Sequence, residues 1–178
     1  MTYKFYAGIG ARDTPDDILT AMEGLGSFLA KKGYILRSGA ADGADTAFEK
    51  GCDRAKGEKE IFLPWLRFND HQSEYWRIGT LAYDIAEKFH PKWKTLKPGA
   101  KKMMGRNVYQ VEGKTHEEMA DFIVCWTKGG KVIGGTGQAL RMAAHHKIPV
   151  FNLGAKPLDK IEKDILAHLS KTKCVKTV

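Results

Sequence analysis

The sequence predicts an α/β protein: a Rossmann-like, doubly wound, mostly parallel sheet with helices on both faces. Two observations predict it. Short apolar runs alternate with helical patterns from one end of the chain to the other, which is the signature of βαβ units. Three of those runs also end in glycine-rich turns that open directly into a helix. The 178 residues suit one domain of ordinary size, 1–178, with an irregular insertion at about 65–99.

Lys4–Ile9 reads as the first strand, closed by Gly8 and Gly10. Thr14-Pro15-Asp16-Asp17 then supplies a helix start, with a hydroxyl cap, Pro at the first helical position and acids against the positive end of the dipole. This helix should run to about Lys32, because Ile18, Met22, Leu25, Phe28 and Leu29 share one face and Gly33 follows. Tyr34–Arg37 is the second strand and Asp42–Arg54 the second helix. Glu60–Leu63 is the third strand, stopped by Pro64. Within the insertion, Ser73–Phe89 has a helical pattern and His90–Lys94 that of a loop. Lys101–Val111 is the next helix, Phe122–Trp126 a wholly apolar strand, Gln138–His146 a helix, Pro149–Leu153 a strand and Leu158–Leu169 the final helix.

In sheets of this kind ligands bind beyond the carboxyl ends of the strands, so the turns there carry the functional reading. After the first strand, Gly8 and Gly10 let backbone amides approach an anion, and Arg12 can pair with phosphate through two nitrogens. After the second, Ser38, Gly39, Ala40, Ala41 and Gly43 leave room for a ligand against the backbone, while Asp42 and Asp45 either cap the helix or accept hydrogen bonds from a ribose or base. After Phe122–Trp126, Gly134-Gly135-Thr136-Gly137 opens a helix and forms a phosphate cradle. No Gly-Lys-Ser/Thr follows, so phosphoryl transfer from ATP is not expected. Any one of these turns is also explained by tight helix–sheet packing. Three at corresponding positions point to a bound nucleotide or nucleotide-derived small molecule.

The three motifs, in this order, resemble the superfamily that joins the DNA-processing protein A (Smf) family and the "lonely guy" (LOG) phosphoribohydrolases. Gly10-Ala11-Arg12 stands where the DNA-processing family has Gly-Ser-Arg, and Ser38-Gly39-Ala40-Ala41-Asp42-Gly43-Ala44-Asp45 where it has Ser-Gly-x-Ala-x-Gly-Ile-Asp. The chain looks most like the small stand-alone DprA-like members found in phage genomes. The resemblance implies a Rossmann-like domain over roughly residues 3 to 155 and two alternative functions. One is single-stranded DNA binding. The other is N-glycosidic cleavage of a nucleoside monophosphate, for which the phosphoribohydrolases use the Arg of Met-x-x-Arg and the Glu of Pro-Gly-Gly-x-Gly-Thr-x-x-Glu.

Met103-Met104-Gly105-Arg106 supplies that Arg, but Arg141 stands where the Glu would be. A guanidinium cannot accept a proton, so hydrolysis by that route requires Asp42, Asp45 or Glu112 instead. No catalytic residue is assigned. The nucleotide-binding residues expected are Gly8, Gly10, Arg12, Ser38, Gly39, Ala40, Gly43, Asp45, Arg106, Asn107, Gly134, Gly135, Thr136 and Gly137. Arg106 and Asn107 belong to this set only if their helix turns them to the pocket; an exposed Arg is the alternative. Trp65 and Trp126, both at strand ends, are placed to stack on a base or to pack.

Composition narrows the class further. A formal net charge of +8 permits nucleic acid without requiring it. Cys52, Cys125 and Cys174 are far apart and have no ligand spacing, so neither a disulfide framework nor a metal site is expected, and no cofactor is. No apolar window reaches the length of a membrane span, and the first residues lack the apolar core of a secretory signal, so a cytoplasmic protein without membrane partners is expected. His145 and His146, late in their helix, read as structural, and Lys171–Lys176 as a solvated end. Subunit pairing in the resembling families makes a homo-oligomer, a dimer first, the expectation.

Overall fold

The computed structural model describes residues 4–174, and the side chains up to 171. Its core is one five-stranded sheet, all parallel, in the order β3-β2-β1-β4-β5. The strands are β1 (Phe5–Gly10), β2 (Ile35–Ser38), β3 (Lys59–Ile61), β4 (Phe122–Trp126) and β5 (Val150–Asn152). The helices are α1 (Asp16–Lys31), α2 (Ala44–Arg54), α3 (Thr80–Phe89), α4 (Pro98–Glu112), α5 (Gly134–His146) and α6 (Leu158–Cys174). Since β2 and β3 lie to one side of β1 and β4 and β5 to the other, the order reverses between β1 and β4, where a crevice forms at the carboxyl ends.

Alternation along the strands fills both faces. Tyr6, Leu36, Phe122 and Val124 point into the layer with α1, α2 and α6, while Ala7, Ile9, Ile123 and Cys125 point into the layer with α3, α4 and α5. Burial on both sides is why β4 reads as an unbroken apolar run rather than an alternating one. A buried arginine pins the far side of β2. Arg37 donates through Nε to Glu60 at 2.7 Å and lies 3.6 Å from the centre of the Phe5 ring. No helix among the described residues is long and apolar enough to cross a membrane.

Four local expectations differ from the structure. Thr14 does not cap α1: its hydroxyl donates to the Ala11 carbonyl at 2.7 Å, and Pro15 holds the N-cap position. Helix α3 begins at Thr80 rather than Ser73, because the Ser73 hydroxyl donates to the Ile61 carbonyl at 2.5 Å and the Tyr75 carbonyl accepts from the Leu63 amide at 2.8 Å. Those bonds hold residues 73–75 against the end of β3 instead of in a helical turn. Helix α5 begins four residues early, at Gly134, so its first turn is the glycine cradle itself. Helix α6 continues past Leu169 to Cys174; positions 175 and 176 of the expected solvated tail lie outside the described residues.

Candidate functional site

The crevice between β1 and β4 opens into a cavity of about 570 Å³, within the range that takes a nucleotide-sized ligand. Its walls come from the turns after β1, β2 and β4, from one face of α4 and from the first turn of α5. The floor is polar and buried: Asp45, Arg106, Asn107 and Gln110 line it and are at most 7% exposed. At the rim stand the exposed Arg12, Asp13 and Lys128, and Gly134, Gly135 and Thr136 line the cavity from the start of α5. Met103, Met104, Trp126 and Ile133 give the apolar part of the lining.

Arg106 is the centre of the floor. Its Nη1 donates to the carbonyls of Gly39 and, at 3.2 Å, Phe62, and its Nε donates to the Asn107 side-chain oxygen at 3.0 Å. One sequence choice makes that seat. A β-carbon on Gly39 would overlap the guanidinium and the Gln110 amide, so glycine leaves the arginine its room. Ala40 is held in the left-handed region at φ 54° with its carbonyl accepting from Asn69 at 2.9 Å. Such backbone costs about 1–3 kcal/mol and persists where the surroundings over-determine it. Burial lowers the Arg106 pKa; Asp45 opposes that shift, and the positive charge of Arg12 adds to it. Two like charges facing one crevice favour an anion between them.

Asp45 sits at the first turn of α2, beneath the glycine turn of β1. Burial pushes its carboxyl up to about 6, although the charge of Arg106, the amides of Ala41 and Gly10, and Gln110 all favour the ionised form. Gly43, at φ 83°, brings this turn so close to the β1 turn that a β-carbon there would strike the Arg12 carbonyl oxygen at 2.6 Å. On the other wall, Asn107 donates through Nδ2 to the Gly135 carbonyl at 3.2 Å, tying α4 to the cradle. The Asn152 side chain braces the β4 turn, donating to the Thr127 hydroxyl at 2.7 Å and accepting from the amides of Thr127 at 3.1 Å and Gly154 at 3.0 Å.

Of the expected binding residues, Gly10, Arg12, Asp45, Arg106, Asn107, Gly134, Gly135 and Thr136 line this one cavity, and so does Trp126. The others shape it from behind. Ser38 is fully buried and spends its hydroxyl on the Gly8 carbonyl at 2.6 Å. A β-carbon on Gly8 would meet the Phe48 ring at 2.6 Å, and one on Gly137 would meet Val132 at 2.9 Å, so both serve packing. Gly39 acts on Arg106 and Gly43 on the β1 turn as described, while Ala40 accepts from Asn69. Trp65 is outside the cavity, edge-on to Phe68 at 5.1 Å. Gln110 and Asn152 were missed; Gln110 had a signal, since Met103, Arg106, Asn107 and Gln110 repeat at helical spacing along one face of α4.

The position expected to hold a catalytic carboxylate in the phosphoribohydrolases is turned away. Arg141 donates through Nε to the Phe89 carbonyl at 2.5 Å, closing the end of α3. Of the three substitutes, Asp42 is exposed outside the cavity, and Glu112 is buried elsewhere, accepting from His146 at 2.9 Å and His116 at 3.1 Å. Asp45 alone of the three lines the cavity. Among the described residues no three His, Cys, Asp or Glu are grouped to hold a metal ion.

No family model matches the sequence, and none of the curated proteins does. Solved structures do match. DNA processing protein A from Helicobacter pylori, which binds single-stranded DNA, superposes with a TM-score of 0.61 over 96% of this chain and 82% of its own, at 17% identity. The molybdenum cofactor carrier protein of Chlamydomonas reinhardtii gives a TM-score of 0.53 over 93% of this chain and 84% of its own, at 19% identity. The likeness is one of fold. The Rossmann-like architecture expected from the motifs is the architecture shared with DNA processing protein A.

Proposed function

We propose that this protein binds a nucleotide or nucleotide-derived small molecule in the crevice between β1 and β4. The observation that carries the reading is the convergence of three turns and α4 on one cavity, with Arg12, Lys128 and the start of α5 at the rim and Arg106 in the floor. Backbone amides at a helix start and an arginine in reach are the donors a phosphate needs. The apolar patch of Trp126, Met103 and Ile133 suits the flat face of a base. Of the neighbours named above, one binds single-stranded DNA and the other carries the molybdenum cofactor, in keeping with a binding function for this fold. With Arg141 turned to α3, binding is better supported than hydrolysis, which would have to rest on Asp45.

Calorimetric titration with adenosine 5′-monophosphate, repeated on Arg12→Ala and Gly135→Asp, tests the site. Removing a charge-assisted phosphate contact costs about 2 kcal/mol, so Arg12→Ala should weaken binding about 30-fold. Gly135→Asp sets a carboxylate beside Asn107 and Met104 and should abolish it, with the ligand-free melting temperature close to that of the parent. Unchanged affinity in both variants would sink the assignment. Free adenine appearing during the titration, and lost in Asp45→Asn, would show that the ligand is also cleaved.

A further inference from the structure

Asp45 is the charge partner of Arg106 and accepts from the Ala41 and Gly10 amides and Gln110, but the nucleotide reading gives it no contact with the ligand. Asp45 is 3% exposed, yet it lines the cavity rather than the protein interior. An acid beside a phosphate site is a poor choice unless it faces another part of the ligand. The rim and the floor differ in the way such a division requires. At the rim the cations are exposed, and the Arg12 guanidinium has one hydrogen-bond-type contact among the described residues, to the Met103 sulfur at 4.0 Å. In the floor, Arg106 is committed to two carbonyls and Asn107, with Asp45 and Gln110 beside it. The floor is thus close to neutral in sum and already holds one anion. A second phosphate there would meet that anion, while a hydroxyl would meet an acceptor.

We propose that Asp45 is the specificity residue of the cavity: it accepts a hydrogen bond from a sugar hydroxyl of the ligand. The cavity therefore takes a nucleoside 5′-phosphate whose sugar hydroxyls are free and turns away one whose hydroxyls are missing or phosphorylated. This rests on the nucleotide reading and sharpens it. Ala41, Gly10 and Gln110 leave the carboxylate acceptor capacity to spare, and a missing hydroxyl leaves that part of a buried charge without a donor, which is penalised more than the loss of an apolar contact. A phosphorylated one adds like-charge repulsion, the usual route by which a site rejects a wrong ligand. Burial, which pushes Asp45 up to about 6, adds to the pull, because the ionised form lacks the solvation that a ligand donor would replace. An internal nucleotide of a single strand has its 3′ oxygen esterified, so this floor selects free nucleotides or chain ends over strand interiors.

The test is calorimetric titration of the parent protein with adenosine 5′-monophosphate, adenosine 3′,5′-bisphosphate and 2′,3′-dideoxyadenosine 5′-monophosphate. The parent should prefer the first over each of the others by at least about tenfold. In Asp45→Asn the bisphosphate should draw to within about threefold of the monophosphate, because the repelling charge is gone. Asp42→Asn, which alters an exposed acid outside the cavity, should keep the parent's preferences. Equal binding of all three ligands by the parent overturns the inference without any variant and leaves the nucleotide reading standing, as does an undiminished preference in a folded Asp45→Asn. Binding of none of the three overturns the nucleotide reading and this inference with it.

Discussion

Burial at the first turn of α2 raises the Asp45 carboxyl from its ordinary 3.8 to about 6, against the pull of Arg106 on α4 and of the Ala41 and Gly10 amides. The cations Arg12 and Lys128 and the acid Asp13 share the cavity with it. With the folded value above the unfolded one, the contribution of Asp45 to stability is full below pH 3.8 and is lost as pH rises through about 6. By neutral pH the ionised group costs roughly 3 kcal/mol. Asp45→Asn keeps an oxygen for the amides and removes the charge, so it should raise stability to urea at pH 7.5 and bring little gain at pH 4. Equal effects at the two values would contradict the buried, charged state described. A destabilised acid in a binding crevice is the kind of cost a protein carries for function.

At this scale the sequence was informative where a residue type has few other uses. Arg12 and Arg106 stood out because of their motifs, and both reach the cavity. Ser38 stood in an equally suggestive place, but a hydroxyl serves a backbone carbonyl as readily as a ligand, and only the β2–β1 register shows which. Gly39 was legible as a small residue; that its space is filled by Arg106, 67 positions away, was not.

Among the elements, the turn from β4 to α5 depends most on a distant side chain. Gly129, Gly130 and Gly134 all adopt positive φ there, and Asn152 on β5 holds the beginning of the turn through two hydrogen bonds to Thr127. Asn152 is 8% exposed, so truncation leaves buried polar groups of Thr127 without partners. Asn152→Ala should destabilise the protein by about 1–3 kcal/mol, measured by urea unfolding, and should weaken nucleotide binding beyond that by loosening the rim. Unaltered stability would mean that the turn holds itself. The strands and helices around the sheet were readable because their apolar spacing is dictated by burial on both faces. Residues 65–79 were not: Arg67, Asn69 and Asp70 take left-handed backbone, and the Ser73 hydroxyl bonds the distant Ile61 carbonyl where the spacing reads as a helix.

For the whole molecule, the question is whether the +8 charge or the crevice decides what binds. A surface that gathers a strand through its phosphates loses affinity steeply with salt, because binding releases counterions. A cavity that holds one nucleotide through Arg12, the α5 start and a buried floor depends on salt only weakly. The fold shared with DNA processing protein A is compatible with both, so topology does not choose between them. The most direct test is thermal stabilisation of the purified protein by adenosine 5′-monophosphate and by a short single-stranded oligonucleotide, each at low and at high salt. Saturable stabilisation by the mononucleotide that persists at high salt is the expected result. Stabilisation by the oligonucleotide alone, fading as salt rises, would contradict a small-molecule crevice and make the basic surface the functional one.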